Sequence, residues 1–341
     1  MTDQSPVRWG VLGAANIALK KVIPAMQRGR LSRVVAIASR DLAKARAAAE
    51  ALGIERAYGS YEELLADQDV EVVYNPLPNH LHVPWSIRAA EAGKHVMCEK
   101  PIALTAQEAR SLLVTRDRTG VQIGEAFMVR VHPQWTKVRE LIDAGRIGEL
   151  RLVVGHFSYY RRDFEDIRSR QEFGGGALMD IGCYPIMLSR WLFNAEPLEV
   201  TAAIERDPDM RVDRLVSAAM RFAAGQASFT CSGQLAPHQR MQIFGTRARI
   251  DVEIPFNAPP DAASRIYVDG GGDLTGRGRE TIELPVADQY TLQGDRFSEA
   301  IRGLATVPMS LEESIGNMAV IDALFKSAET RRWEAPVSLS S

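Results

Sequence analysis

The stretch Val7-Arg8-Trp9-Gly10-Val11-Leu12-Gly13-Ala14-Ala15-Asn16-Ile17-Ala18 decides how the chain is read. Its first half is apolar and of strand length, and its second half is a run of small residues entering a helical pattern that continues to about Gln27. Gly13, Ala15 and Ala18 stand at the spacing of the G-x-G-x-x-G/A turn of dinucleotide-binding βα units. Each position has a steric reason. Gly13 makes the tight turn, Ala15 lets the backbone approach a pyrophosphate, and Ala18 lets the helix lie close on the strand. Alanine at the middle position departs from the glycine pattern. Ala14, Asn16 and Ile17 complete the turn as candidate cofactor contacts.

Working outward, a second strand is expected over 32–38, with Ser39-Arg40 at its end. An NAD site carries an acid there for the ribose 2′-hydroxyl, whereas a hydroxyl and a guanidinium suit a 2′-phosphate. NADP is therefore the expected cofactor, ahead of NAD. Lys44, in the first turn of a helix expected over 42–52, adds positive charge, and Asp41 reads as that helix's N-cap. After a strand over 70–74 comes Asn75-Pro76-Leu77-Pro78-Asn79-His80-Leu81-His82, a loop stiffened by prolines. Leu77, Asn79 and His82 are its candidate cofactor contacts. No Cys or acid completes His80-x-His82 as a metal site, so no metal is expected.

The next strand lies in Gly93-Lys94-His95-Val96-Met97-Cys98-Glu99-Lys100-Pro101. Proline stops the ladder and biases Lys100 toward an extended or turn conformation. The ammonium then projects from the carboxyl edge of the sheet, where open α/β sheets bind ligands. Desolvation there lowers a lysine's pKa and fits it for proton transfer. Glu99 beside it is a cofactor-side candidate; the tripeptide alone reads equally as a solvated ion pair. Thr105 and Glu108 open a further helix, and the alternation of strands and helices implies a doubly wound parallel sheet, a Rossmann domain over 1–126.

Beyond residue 150 the strands lengthen and alternate. They are expected over 152–159, 199–206, 215–222, 226–232, 240–244 and 249–252, with a short one at 265–268 and closing helices over 290–303 and 311–330. Residues 127–341 thus read as an α+β domain with a large, mostly antiparallel open sheet. Gly174-Gly175-Gly176 leads into an almost wholly apolar helix carrying Asp180 and Tyr184, four apart and so on one face. A buried carboxylate and phenol need partners. Tyr159, Arg161 and Arg162 follow a strand and either line a pocket or form a solvated charge face with Asp163, Glu165 and Asp166. Tyr290 is a further cofactor-side candidate.

The chain has 341 residues, too many for one ordinary domain. Lys and Arg number 41 against 43 Asp and Glu, a net charge of -2 that gives no basic footprint for nucleic acid or an anionic membrane. No apolar run is long enough to span a bilayer, Met1 to Pro6 carry no leader pattern, and the scattered Cys98, Cys183 and Cys231 suit a reducing compartment. The expected location is cytoplasmic.

Ala92-Gly93-Lys94-His95-Val96, Glu99-Lys100-Pro101, Glu125-Ala126-Phe127-Met128 and Gly174-Gly175-Gly176-Ala177-Leu178-Met179-Asp180-Ile181-Gly182 together resemble the glucose-fructose oxidoreductase/inositol dehydrogenase (Gfo/Idh/MocA) family, over nearly the whole chain. The resemblance implies a Rossmann domain joined to an open-sheet domain, and hydride exchange between NAD(P) and an oxygen-bearing carbon of a sugar, polyol or cyclic diol. By position Lys100 matches the family's catalytic lysine and Asp180 its substrate-domain aspartate. Tyr184 stands where many members have His, and is similar to the branch holding glucose-fructose oxidoreductase, aldose dehydrogenases and dimeric dihydrodiol dehydrogenase. The expected function is NADP-dependent hydride transfer on a small aldose or cyclic diol. Tyr184 or Lys100 would take the hydroxyl proton, Asp180 would position a hydroxyl, and Tyr159 and Arg162 would join these as substrate contacts. Copies are expected to associate as a homodimer or homotetramer through the C-terminal sheet. Two other readings remain: an NAD-dependent glycosidase of the same family, against which Ser39-Arg40 weighs, and a non-catalytic dinucleotide-sensing regulator, against which Lys100 weighs.

Overall fold

The computed structural model describes residues 5–337; residues 1–4, within the start expected to lack a leader, and 338–341 lie outside the described residues. Packing divides the chain into two compact units, Met1–Val131 with Asp288–Ile315, and His132–Ala287 with Gly316–Ser341.

The first unit is built on six strands: β1 (Val7–Leu12), β2 (Ser32–Ala38), β3 (Arg56–Tyr58), β4 (Val72–Asn75), β5 (His95–Glu99) and β6 (Ile123–Ala126). Their order is β3-β2-β1-β4-β5-β6, and every pairing is parallel. That is the doubly wound order, reversed at β1. The buried runs of β1, β2, β4 and β5 are continuous rather than alternating because both faces are covered. The helix starts follow from side-chain caps. Asp41 Oδ1 accepts the Ala43 N–H at 2.9 Å, and Thr105 Oγ1 accepts the Glu108 N–H at 3.1 Å while Glu108 Oε2 reaches back to the Leu104 N–H at 3.1 Å.

Sequence order groups Asp288–Ile315 with the second domain, 127–341, yet its packing lies with the first sheet. On the helix Gln289–Ile301, Phe297 meets the Trp9 ring at 5.5 Å between centroids, and Ser298 Oγ accepts the Trp9 indole N–H at 3.1 Å. Asp295 accepts the Leu31 and Arg30 N–H groups at 2.8 and 2.9 Å, tying the helix to the entry of β2. Arg302 pairs with Glu71 at 2.8 Å.

The second unit holds β7 (Leu150–Tyr160), β8 (Glu199–Arg206), β9 (Asp213–Arg221), β10 (Gln226–Ser232), β11 (Gln234–Gly245), β12 (Arg249–Val252), β13 (Ser264–Asp269) and β14 (Glu280–Leu284). They form one sheet in the order β14-β13-β12-β11-β7-β10-β9-β8, antiparallel throughout except where β10 runs parallel to β7. One face is covered by apolar side chains such as Val153, Phe229, Met241, Ile243 and Ile250. The helix Pro133–Asp143 is anchored by the Trp135 indole, which donates to the Pro255 carbonyl at 2.7 Å.

Fold class and element order agree with the sequence reading, and two strands were not anticipated. Both β3 and β14 are the outermost strands of their sheets. Half-exposed on the edge, they carry Arg56 and the alternation Glu280-Thr281-Ile282-Glu283, so their apolar signal is weak. Residues Ala18–Val22 and Leu178–Gly182 form wide π-type turns where regular helix was expected. No helix among the described residues is long and apolar enough to cross a membrane.

If the returning helix belongs to the first unit's core, its buried hydrogen bond should count. Ser298 is 0% exposed. Ser298→Ala leaves a buried indole N–H without its acceptor and should lower unfolding free energy by about 1–3 kcal/mol in urea titrations.

Candidate active site

Because the first sheet is parallel, β1, β2 and β5 deliver their carboxyl ends to the same edge. At the end of β1, Gly13 adopts φ +83° and its N–H donates to the Ala38 carbonyl at 2.8 Å. A Cβ on Gly13 would lie 2.9 Å from Leu77 Cδ2, so the turn has no room for a side chain and Leu77 forms its wall. Ala14 and Ala15 are half-buried and Asn16 is exposed at the helix start, where N–H groups lack intrahelical acceptors; Ile17 packs back toward the core. At the end of β2, Ser39 is buried and its hydroxyl accepts the Asp41 N–H at 3.3 Å, while Arg40 and Lys44 are exposed. A side-chain-free cradle at a helix start, beside a Ser-Arg pair, fits a dinucleotide.

Tyr61 is a neighbour the sequence reading missed. Its ring packs edge-on to Trp85 at 4.7 Å, and its hydroxyl would stand 3.5 Å from a Cβ at Gly13. Burial raises its pKa, and the Arg40 guanidinium beside it opposes that shift. An aromatic residue opening a short helix carries no motif, so nothing in the sequence marked it.

At the end of β5, the Tyr74 hydroxyl donates to Glu99 Oε1 at 2.6 Å, and Glu99 Oε2 accepts the Lys100 backbone N–H at 3.2 Å. Tyr290 lies alongside: burial first, then the Glu99 charge, pushes its phenol pKa upward. Burial does the same to Tyr74. Lys100 itself is half-buried, and its peptide to Pro101 is cis. Asn79 opens the single turn Asn79–Leu81 and is half-buried. His82 has a different setting from the one expected. Its ring is 1% exposed, with Nδ1 and Nε2 each 2.7 Å from a backbone carbonyl, those of Pro101 and Leu77. Burial pushes the ring pKa down to about 4, against the pull of those carbonyls.

In the second unit Asp180 sits in the turn Leu178–Gly182. The Tyr159 hydroxyl, at the end of β7, donates to Asp180 Oδ2 at 2.7 Å. Arg168 Nε donates to the same oxygen at 3.0 Å and its other arm meets Asp166 at 3.3 Å. Burial and then the Asp180 charge push the Tyr159 phenol pKa upward, and the Asp180 charge raises that of Arg168. Asp180 thus lies in a wide turn, and Tyr184 in the regular helix Cys183–Phe193 that follows it. Tyr184 is 5% exposed, its ring near Phe256 at 5.5 Å and Phe157 at 6.0 Å. Arg161 pairs with Asp166, whereas Arg162 turns to Asp207, at 3.4 Å, and Asp209. Arg168 was not singled out, because one arginine in a loop of alternating charges looks like any other. Among the described residues no group of three or more His, Cys, Asp or Glu is placed to hold a metal ion.

Asp213, also unmarked by sequence, explains Gly176 of the glycine run. It is 2% exposed, on β9, and its Oδ2 accepts the Leu178 N–H at 2.6 Å, holding the start of the turn that carries Asp180. A Cβ on Gly176, at φ +112°, would run into this carboxylate. Burial pushes the Asp213 carboxyl up to about 7 from its usual 3.8, although the N–H groups of Leu178, Asp213 and Ala177 and the Arg206 charge oppose it. A raised folded-state pKa gives a contribution present in full below 3.8 and lost as pH rises through about 7. Asp213→Asn stays neutral. Between about pH 4 and about pH 7, wild type should lose stability relative to this variant in urea melts. Parallel pH profiles would mean that the N–H donors keep Asp213 ionised.

The arrangement offers a glycine turn at a helix start and a lysine on one sheet edge, and on the other unit an aspartate held by a phenol and a guanidinium. Comparisons with known proteins agree with this reading. Residues 7–127 match the family described as oxidoreductases with an NAD-binding Rossmann fold, and residues 135–251 match the GFO/IDH/MocA C-terminal domain. An uncharacterized oxidoreductase of Rhizobium meliloti is 50% identical, over 96% of this chain and 98% of its own. A D-xylose 1-dehydrogenase (NADP(+)) of Haloferax volcanii is 38% identical, over 94% and 97%. The crystal structure of a 3-ketoreductase from Actinomadura kijaniata, in complex with NADP and TDP-benzene, superposes with a TM-score of 0.87 at 31% identity, over 94% of this chain and 98% of that one. The chain belongs to the Gfo/Idh/MocA family of NAD(P)-dependent oxidoreductases.

Proposed function

We propose that the protein uses NADP to oxidise or reduce the hydroxyl- or carbonyl-bearing carbon of a small aldose or cyclic diol. The observation that carries this reading is the shared edge of the parallel sheet, where Lys100 follows β5 on the same side as the Gly13 turn and Ser39-Arg40. The absence of an acid at the end of β2 supports NADP over NAD, since a carboxylate there would repel a 2′-phosphate. The Haloferax relative, named for NADP(+) and D-xylose, and the ketoreductase solved with NADP support it further.

When bound, the dinucleotide supplies the hydride-accepting or hydride-donating ring. The chain's own residues hold substrate and handle the proton. Lys100 Nζ and Tyr184 Oη are the candidates to take the hydroxyl proton in oxidation and return it in reduction. Glu99 fixes the lysine's backbone through the N–H of Lys100 and is itself held by Tyr74. The Asp180 carboxylate, whose orientation is set by Tyr159 and Arg168, accepts a hydrogen bond from a substrate hydroxyl. Copies associate, in this proposal, through the eight-stranded sheet. A cytoplasmic location is supported by three buried cysteines that form no disulfide.

A panel of aldoses and diols, followed by absorbance of reduced nicotinamide, tests the reaction itself. Arg40→Ala should weaken NADP binding by about tenfold to over a hundredfold in calorimetry, as expected for lost charge-assisted hydrogen bonds, and leave NAD binding nearly unchanged. Equal or tighter binding of NAD by wild type would contradict the NADP assignment. Lys100→Met and Tyr184→Phe should each lower kcat by roughly 10²–10⁴ while preserving dinucleotide affinity. Full kcat in Tyr184→Phe would make Tyr184 a packing residue beside Phe157 and Phe256.

A further inference from the structure

His82 is a buried titratable group of the first unit to which this mechanism gives no task. It opens the helix His82–Glu91, directly after the loop that carries Leu77 and Asn79. That loop is already bound to the helix. Asn75 Nδ2 donates to the His82 carbonyl at 3.0 Å and to Ser86 Oγ at 3.1 Å, and the Leu77 N–H donates back to Asn75 Oδ1 at 3.3 Å. The His82 ring extends this network to the next strand end. One nitrogen meets the carbonyl of Leu77, the wall of the Gly13 turn, and the other meets that of Pro101, the residue after Lys100.

The protonation state limits how the ring does this. A neutral imidazole has one N–H and one lone pair, and both neighbours are acceptors. A neutral ring donates to one carbonyl and turns a lone pair toward the other; only the imidazolium satisfies both. Burial, the Lys100 ammonium and His80 all disfavour the imidazolium, and the two carbonyls favour it. Burial is the largest of these effects, and the charge at Lys100 acts in the same direction.

We infer that His82 is a positioning residue, whose ring ties Pro101, and through it Lys100, to the loop bearing Leu77 and Asn79, so that the lysine and the wall of the cofactor turn keep one register. This rests on the reading that Lys100 handles the proton, and adds to it the group that holds the lysine in place. A displacement of about 1 Å at a reacting group costs on the order of a hundredfold in rate. His82→Phe, which keeps the ring volume but has no nitrogen, should lower kcat by about 10- to 100-fold with the Kd for NADP within about threefold of wild type. His82→Gln, which restores an N–H donor, should recover most of that loss. Wild-type kcat in His82→Phe would overturn the inference, and so would a loss of NADP affinity in proportion to kcat, which would make His82 a cofactor contact.

A second measurement depends on neither turnover nor the folding of a variant at position 82. In protein labelled with ¹⁵N-histidine, the His82 ring should show a slowly exchanging N–H at neutral pH, and Lys100→Met should shift its ring signals. A His82 ring that exchanges freely, titrates near the ordinary value of about 6.5 and ignores Lys100→Met would overturn the clamp. Failure of every sugar and diol to support turnover would instead count against the proposed reaction and leave this result standing.

Discussion

A parallel sheet sends the carboxyl end of every strand to one edge, and the chemistry of the first unit depends on that constraint. The order β3-β2-β1-β4-β5-β6 reverses direction of growth at β1, so the connections leaving β1 and β4 pass to opposite faces and leave a crevice at the reversal. Gly13 follows β1, Ser39 follows β2, the Leu77 loop follows β4 and Lys100 follows β5. These residues are far apart in sequence, and parallel pairing alone brings them to one side. The returning helix Gln289–Ile301 stabilises the sheet that enforces this, through Trp9, Phe297 and Asp295.

Both units place ionisable side chains in buried or half-buried positions, where an unpaired charge costs several kcal/mol. Three carboxyl groups are each matched by donors that arrive from another element. Glu99 receives Tyr74 from β4, Asp180 receives Tyr159 from β7 and Arg168 from the following loop, and Asp213 on β9 receives the Leu178 N–H. The effect is to fix orientation as well as to offset desolvation, because a carboxylate held by donors at 2.6–3.0 Å has little freedom to rotate. The two wide turns, Ala18–Val22 and Leu178–Gly182, lie on or directly after the segments that carry the cofactor cradle and Asp180. A locally widened helix re-aims the groups at its start, which a regular helix of the same sequence would present differently.

Much of this was legible in the chain itself. Strand positions, the Gly13 turn, the caps at Asp41 and Thr105 and the lysine at the end of β5 follow from local rules: the period of apolar residues, the φ a turn needs, the donor a helix start lacks. The Ser39-Arg40 pair was legible for the same reason, since its place at a strand end is a matter of counting. Edge strands β3 and β14 escaped because half-exposed strands need no continuous apolar run.

Partnership was not legible. Helical spacing put Asp180 and Tyr184 on one face, and tertiary packing added to Asp180 the partners Tyr159 and Arg168, 21 and 12 residues away. The sequence offered His82 as a group reaching for a cofactor, and the fold enclosed the ring between two carbonyls. It left Gly174-Gly175-Gly176 as a family signature, and only the position of Asp213 on a strand 35 residues from Leu178 shows what Gly176 makes room for. The sequence by itself therefore determined which segments become strands, helices and turns and which residue types stand at their ends, because those depend on near neighbours along the chain. Which side chains meet, which are desolvated and which hold another in place depend on contacts across the sheet, and only the tertiary structure decided them.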